Sequence, residues 1–379
     1  MKKIKILGSG PTGSLLALFL ASESCNVDII EPLSEVELLS KDKGYAITQS
    51  SRRIFQKLGI WSSLENISSG FSSLSIIDNE LSQSVIVRTN DLRKFNSKQT
   101  NIGWVVEHKH LMRILLDSIN SNKFINKSNL DLNQDENFDF ILAADGRNSD
   151  SRKAWKINYY KRFYKQRCIS FKATIRNLPS HRAYEIFKDQ GPLALLPLGN
   201  DIYQVIWFSS IPEVKLKLKL ENSQLLGELI NVLPENAFAE KIVSKISNYS
   251  VLQAFAFPKF IRFNKILVGE SAHSFHPVGG QGLNSCIRDV YELSNLINNY
   301  ESISVVKKKF FSIYYYFKRF DDIFSLLLVT DFLIRLFSNK SILLYPIRYV
   351  IFNMLRSFKF LRVAVFSLMT DSLKRYKLQ

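Results

Sequence analysis

Cysteine is scarce in this chain of 379 residues, with Cys25, Cys168 and Cys286 standing far apart. None has the close spacing of a zinc site or a redox dithiol. A disulfide framework is therefore excluded, and reduced, partly buried thiols in a cytoplasmic protein are expected. Histidine is sparse as well, and His273 and His276, three apart, have no third ligand, so no metal site is expected. They read as loop-shaping residues, with assistance to proton movement as the alternative. Internal repeats and low-complexity linkers are absent. No uninterrupted apolar run reaches the ~18 residues of a membrane-spanning helix, because Asp331, Arg335, Pro346, Arg348 and Arg356 interrupt the most apolar region. Acidic residues are few against basic ones, 34 to 51, for a net charge of +17. No recognition motif accompanies that charge, so no nucleic-acid partner is expected.

The basic excess concentrates in residues 301–379, which hold 14 Lys or Arg against five Asp or Glu. The same stretch is rich in large apolar residues. Lying on an anionic membrane surface is one reading, since each exposed base contributes about 1 kcal/mol there. Packing on the protein's own core, with the bases solvated, is the other. Short charged runs at 215–220 and 307–309 read as solvated helix faces.

A hydrophobic content of 46% is enough for a large core and two domains. Residues 268–289, V-G-E-S-A-H-S-F-H-P-V-G-G-Q-G-L-N-S-C-I-R-D, run from an apolar strand at 263–268 through a glycine-dense turn into a helix at 283–297. Gly279, Gly280 and Gly282 let backbone approach a ligand, and the helix start offers unpaired N–H groups and a positive dipole end. A second cluster opens the chain. A strand at 4–7, the turn G-S-G-P-T-G with Gly8, Gly10, Pro11, Thr12 and Gly13, a helix at 14–21 and a strand at 27–30 ending in Glu31 form a dinucleotide fingerprint. Gly8 makes the tight turn, Gly10 admits a pyrophosphate, Gly13 lets helix and strand pack, and Glu31 reaches a ribose hydroxyl. The alternative is a signal peptide, since Lys2, Lys3 and Lys5 precede an apolar run, but glycines interrupt it. A third cluster follows a strand at 138–143: A-D-G-R-N-S-D-S-R, with Asp145, Gly146, Ser149 and Arg152.

In this order the three motifs resemble those of the single-component FAD-dependent aromatic hydroxylases, of the para-hydroxybenzoate hydroxylase type. The branch that hydroxylates polyprenylated phenols in ubiquinone biosynthesis is the most similar. R-I-F-Q-K-L-G-I-W at 53–61, W-V-V-E-H at 104–108 and A-Y-E-I-F-K-D-Q-G-P-L-A-L-L-P-L at 183–198 extend the resemblance over nearly the whole chain. It implies FAD as cofactor, with Gly8, Gly10, Gly13 and Glu31 on the ADP half and Asp145 and Gly146 near the pyrophosphate. Pro277 and residues 279–284, including Gly279, Gly280, Gly282, Leu283 and Asn284, would face the isoalloxazine, where N–H groups and a helix dipole stabilise negative charge. No side chain is assigned as an acid or base.

The activity implied is monooxygenation of a lipophilic phenol or quinone precursor by dioxygen. NADPH or NADH is a transient reductant, and a flavin hydroperoxide forms in a dry cavity. A flavin-dependent epoxidase or isoprenoid reductase, and a non-catalytic scaffold subunit of a quinone-biosynthesis complex, are the alternatives. A cytoplasmic location peripheral to a membrane is expected. The pattern has departures. Glu270, followed by Ser271, stands where the family has Asp, Lys43 where it has Arg, without the planar fork, and His108 where it has Asn. Residues 118–138 are too short for the usual strand excursion, and Asn120, Asn122, Asn126, Asn129 and Asn133 suggest a trimmed loop.

The expected fold is α/β: a Rossmann-like FAD-binding domain (1–70, 99–165 and 251–300), an interleaved antiparallel-sheet substrate domain (71–98 and 166–250) and a C-terminal helical region (301–379). Residues 71–89 and 166–209 alternate with strand periodicity, with turns at Leu178-Pro179 and Gly199-Asn200, and should form one antiparallel sheet roofing the substrate cavity. Residues 193–196 with Trp207 and Phe208 would line it, while Tyr184 and Glu185 are expected to organise the sheet.

Overall fold

Ile4 and Ile6 are wholly buried in the first strand, β1 (Lys2–Leu7), so the basic, apolar start of the chain is core. The turn after it enters the helix Pro11–Leu20 with proline at its first position, where the missing N–H leaves nothing unpaired. A computed structural model describes residues 1–92, 100–130, 135–234, 236–257, 264–302 and 310–371. Phe263, Asn133 and residues 307–309 lie outside the described residues.

Five strands make an all-parallel sheet in the order β16 (Lys265–Leu267), β9 (Phe140–Ala143), β1, β2 (Cys25–Ile30), β8 (Ile125–Ser128). Leaving β1, the chain builds outward to β2 on one side and later returns to β9 on the other. The order therefore reverses at β1, where open α/β sheets leave a crevice outside their carboxyl ends. A small sheet of β3 (Gly44–Ile47), β7 (Gly103–Glu107) and β4 (Ser69–Phe71) flanks that crevice.

The nine-stranded sheet follows the order β17 (His273–Ser274), β15 (Ser247–Ala256), β10 (Tyr159–Arg176), β13 (Ile202–Ser210), β12 (Leu193–Gly199), β11 (Arg182–Phe187), β5 (Ser73–Asp78), β6 (Gln83–Arg88). β14 (Phe238–Ile242) adds to β10. The sheet is mixed rather than purely antiparallel, because β5 and β11 run parallel. Alternation along strands cannot reveal this, since a parallel joint leaves face parity unchanged. A second correction concerns the asparagine-rich stretch. Asn126 lies within β8, opposite Asp28 of β2, because the edge of a sheet accepts polar residues on its solvent side.

The long helix Phe311–Phe337 packs on helix Gln281–Asn298, and two further helices, Tyr345–Ser357 and Lys359–Asp371, close the chain. The first of these two lies on β6 and the second approaches helix Gln49–Lys57, where the Ser50 hydroxyl donates to Thr370 carbonyl at 3.0 Å. Fully buried Arg348 pairs with Asp78 of β5 through Nε at 2.7 Å. One face of these helices is therefore core. The other exposes Phe317, Phe324, Leu328 and Phe332, and Ile342 and Leu343 beyond them. Among the described residues no helix is long and apolar enough to cross a membrane.

Candidate flavin-binding cleft

At the carboxyl ends of β1, β2, β9 and β16 lies a cleft of about 820 Å³. Gly8, Gly10, Pro11, Thr12, Glu31, Lys43, Asp145, Gly146, Glu270, Pro277, Gly280, Gly282 and Leu283 all line it. The three distant turns thus meet in one site. Gly13, Gly279 and Asn284 do not line it.

Each turn is shaped by what its residues cannot hold. Gly8 takes a φ of +99°, and a Cβ there would meet the Ala144 carbonyl oxygen at 2.8 Å. A Cβ on Gly13 would stand 1.9 Å from the Gly8 carbonyl oxygen, so helix and turn close only on glycine. A Cβ on Gly10 would meet nothing within 4 Å, which leaves backbone open to the cleft. Gly10 begins the first helix, and Gly280, at φ +64°, begins helix Gln281–Asn298. Neither start has a side-chain cap, so two sets of helix N–H groups and two positive dipole ends remain for anionic atoms.

Polar side chains are fixed in turn. Glu31 is buried; one carboxylate oxygen accepts the Ser9 N–H at 2.6 Å and the other the Leu33 N–H at 3.1 Å, which aims the carboxylate at the end of β2. Asp145 accepts the Ser151 N–H at 2.9 Å through Oδ2, while its buried Oδ1 has no partner among the described residues. An orphaned acceptor in a cleft of this size fits a ligand that donates a hydrogen bond. Ser149 and Arg152 of the same motif do not face the cleft. Ser149 caps the helix Asp150–Ala154 by accepting the Arg152 N–H at 2.9 Å, and buried Arg152 donates to the carbonyls of Ser271 at 2.8 Å and Arg147 at 2.9 Å.

Asn284 acts structurally, donating to the Ala46 and Gly280 carbonyls at 2.8 and 2.9 Å and accepting from Ser51 at 2.7 Å and the Thr48 N–H at 3.0 Å. It pins the glycine loop to β3. Lys43 is exposed at the cleft, where the Glu270 carboxylate is the opposite charge acting on its ammonium. Glu270 stands 3.8 Å from the Arg147 guanidinium, so both substituted positions face the cleft with charge balanced around them. His108 donates through Nε2 to the Leu38 carbonyl at 2.7 Å, leaving Nδ1 to accept the hydroxyl of cleft-lining Tyr45 at 2.9 Å. Burial keeps that imidazole neutral by lowering its pKa.

Of the two loop histidines, His273 lines the cleft and bonds Asp289 at 2.6 Å. His276 is buried behind it, its pKa lowered by burial to about 3, accepting the Val278 N–H at 3.2 Å and donating to Gln166 at 3.2 Å. Burial pushes the thiols up, Cys25 to about 11 and Cys168 to about 12, and likewise raises Cys286, which lines the cleft. Among the described residues no group of His, Cys, Asp and Glu could hold a metal ion.

Above the glycine loop the cleft is closed by the large sheet. Leu196 and Ile206 line it; Leu193, Leu195 and Trp207 do not, because they alternate to the opposite face and form a core with the helices Ile211–Lys217 and Asn222–Ile230. Phe208 shares the cleft-side face but packs on His276. Tyr184 belongs to the core, whereas its neighbour Glu185 faces the other way. Arg147, Tyr45, Tyr249 and Phe275 also line the cleft, although none was singled out as a site residue from the sequence. Phe275 and Arg147 sit inside the first and third motifs, which is the hint available; Tyr249 arrives from β15 and carries no local signal.

A family model described as FAD binding domain matches residues 131–301. An uncharacterized Synechocystis protein is 26% identical over 89% of this chain and 85% of its own length. The 3-demethoxyubiquinol 3-hydroxylase of Escherichia coli is 24% identical over 79% and 80% of the two chains. The crystal structure of p-nitrophenol 4-monooxygenase from Pseudomonas putida superposes with a TM-score of 0.77 at 14% identity, covering 97% of each chain.

Proposed function

We propose that this chain, a homologue of ubiquinone-pathway hydroxylases with the fold of the FAD-dependent aromatic monooxygenases, is itself an FAD-dependent monooxygenase whose substrate is a lipophilic, prenylated phenol or quinone precursor. The observation that carries this reading is the meeting of three glycine turns and two uncapped helix starts in one cleft. Gly8, Gly10, Pro11 and Thr12 would hold the ADP half with Glu31 on a ribose hydroxyl, and Asp145, Gly146 and Lys43 the pyrophosphate and ribityl region with Glu270. Pro277, Gly280, Gly282 and Leu283 would flank the ring, where the helix start favours negative charge. When bound, the flavin supplies two-electron chemistry with NADPH or NADH and the activation of dioxygen. The chain's own contribution is to orient the ring systems and exclude water, for which Leu196, Ile206 and Phe275 provide an apolar wall.

FAD-loaded protein is expected to consume NADH or NADPH and oxygen faster when a prenylated phenol is added. With isotopically heavy dioxygen one heavy atom should enter the ring. Reductant consumption without product labelling, across a series of prenylated phenols, contradicts the hydroxylase reading, and FAD-loaded protein inert toward every phenol favours a scaffold. The exposed apolar face and basic excess of the C-terminal region support contact with an anionic membrane surface. Cosedimentation with phosphatidylserine vesicles should then weaken as salt rises; no binding at low salt contradicts it.

A further inference from the structure

The large sheet and the helix Phe311–Phe337 do not close on each other everywhere. Gln253 of β15 donates to the Leu327 carbonyl at 2.6 Å and Arg162 of β10 to Asp331 at 2.8 Å, so helix and sheet are tied at two successive turns. Beside these ties remains an apolar slot of about 380 Å³, a volume within the range of small-molecule sites. Its sheet wall is the stacked pair Tyr160 and Phe255, and its helix wall is the stacked pair Phe320 and Phe324 with Leu328. Buried Ile323 and Ala256 form the floor, whereas all five wall residues are exposed. Large apolar side chains left open to water around one concavity mark an interaction site. The slot is separate from the flavin cleft: the two share no lining residue among those described, and Phe275, which lines the cleft, packs with Ile323 between them.

Asp331 closes one end of the slot, and its carboxylate is saturated. The Tyr164 hydroxyl donates to Oδ1 at 2.9 Å, and Arg162 and Arg335 each donate to Oδ2 at 2.8 Å. Two guanidinium groups thus share one carboxylate, which leaves this end positive, and Lys161 lines the slot beside them. Both arginines are at least half exposed, and Arg335 spends only its Nε, so its two terminal nitrogens make no hydrogen bond among the described residues. Such a fork matches a phosphate. We propose that the slot takes one acyl chain of an anionic membrane phospholipid, with Arg335 and Arg162 on the phosphate. Phe324 and Leu328 belong both to the slot and to the exposed apolar face of the C-terminal region, where the basic excess also lies, so the slot opens toward the surface that would meet an anionic bilayer. The assignment rests on the membrane contact proposed above and is independent of the flavin chemistry.

The test titrates FAD-loaded full-length protein by calorimetry with palmitoyl lysophosphatidylglycerol below its micelle concentration. Uptake should saturate at one lipid per chain, and a hexanoyl analogue should bind about tenfold more weakly or worse, because it buries fewer methylenes. Phe324→Asn, an exposed position that folding tolerates, should lower affinity about tenfold. Arg335→Gln should lower it about fivefold and abolish the preference over palmitoyl lysophosphatidylcholine, whose cationic head meets the arginines with like charge. Leu343→Asn, on the exposed face but outside the slot, should leave this titration unchanged while weakening cosedimentation with vesicles. Absence of saturable uptake, or wild-type affinity in Phe324→Asn, overturns the site. Vesicle binding without lysolipid uptake keeps the membrane contact and defeats the slot. Displacement of the lysolipid by an equal concentration of a geranyl-substituted phenol makes the occupant a substrate tail and overturns the phospholipid assignment. Lysolipid uptake by a protein that hydroxylates no phenol supports the slot and defeats only the hydroxylase reading.

Discussion

Gly10 and Gly13 are three residues apart in one turn, yet their surroundings impose opposite demands. At Gly13 a methyl group would stand 1.9 Å from a backbone oxygen, so Gly13→Ala must push the first helix off β1. A loss of about 3 kcal/mol, at the upper end of overpacking costs, is expected in the denaturant midpoint whether or not FAD is present. At Gly10 the space is empty and the backbone, at φ −62°, suits any residue. Gly10→Ala should fold with wild-type stability and lose FAD affinity about tenfold or more, since the methyl occupies the ligand's approach. Equal effects of the two substitutions on stability would contradict this division. Residue identity alone made these glycines legible, because few positions require the absence of a side chain. Glu185 was legible only as part of a motif. Its orientation follows from parity along β11, but its contact with the Gly279 N–H depends on which loop arrives against it.

At the scale of elements, helix Gln281–Asn298 is held by charges rather than by apolar contact alone. Arg288 donates to Asp322 at 2.9 Å, Arg319 reaches Asp289 at 2.6 Å and Asp322 at 2.7 Å, and Asp289 also accepts from His273 and from the Gly269 N–H. All are buried. The two neighbouring arginines hold the Asp322 carboxyl down at about 2 despite its burial. Removing it leaves two guanidinium groups facing each other without their shared counter-charge. Asp322→Ala should therefore cost about 3–5 kcal/mol, the scale of breaking a buried ion pair. A thermal-melt change of only a degree or two would show the network to be dispensable. None of these partners was visible in sequence, since Asp289 and Arg319 are thirty residues apart and charged residues on a helix ordinarily face solvent. The same limit hid β8 and the parallel joint of β5 with β11: partner choice is a tertiary property, while alternation and turn residues speak only of local structure.

For the whole molecule, the α/β class, the interleaving of a parallel sheet with a larger second sheet, and the helical end were all legible, because periodicity and glycine turns occur in a fixed order along the chain. The cleft itself follows from topology. Strand order reverses at β1, and the three turns stand at the carboxyl ends of β1, β9 and β16, so a chain with this order brings them together wherever the intervening residues run. Which side chains complete the walls was less accessible: Tyr45 comes from a small separate sheet and Tyr249 from the far edge of the large one.

The central claim is that these turns form one flavin site, and Asp145, with its unsatisfied Oδ1, is the point at which to test it. FAD titrated into the apoprotein and followed by fluorescence quenching should saturate at one flavin per chain. Asp145→Ala should raise the Kd about tenfold or more, the 1–3 kcal/mol expected when a buried hydrogen-bond partner is removed. A folded apoprotein that takes up no FAD, or an Asp145→Ala protein that binds it as tightly as wild type, would contradict the account.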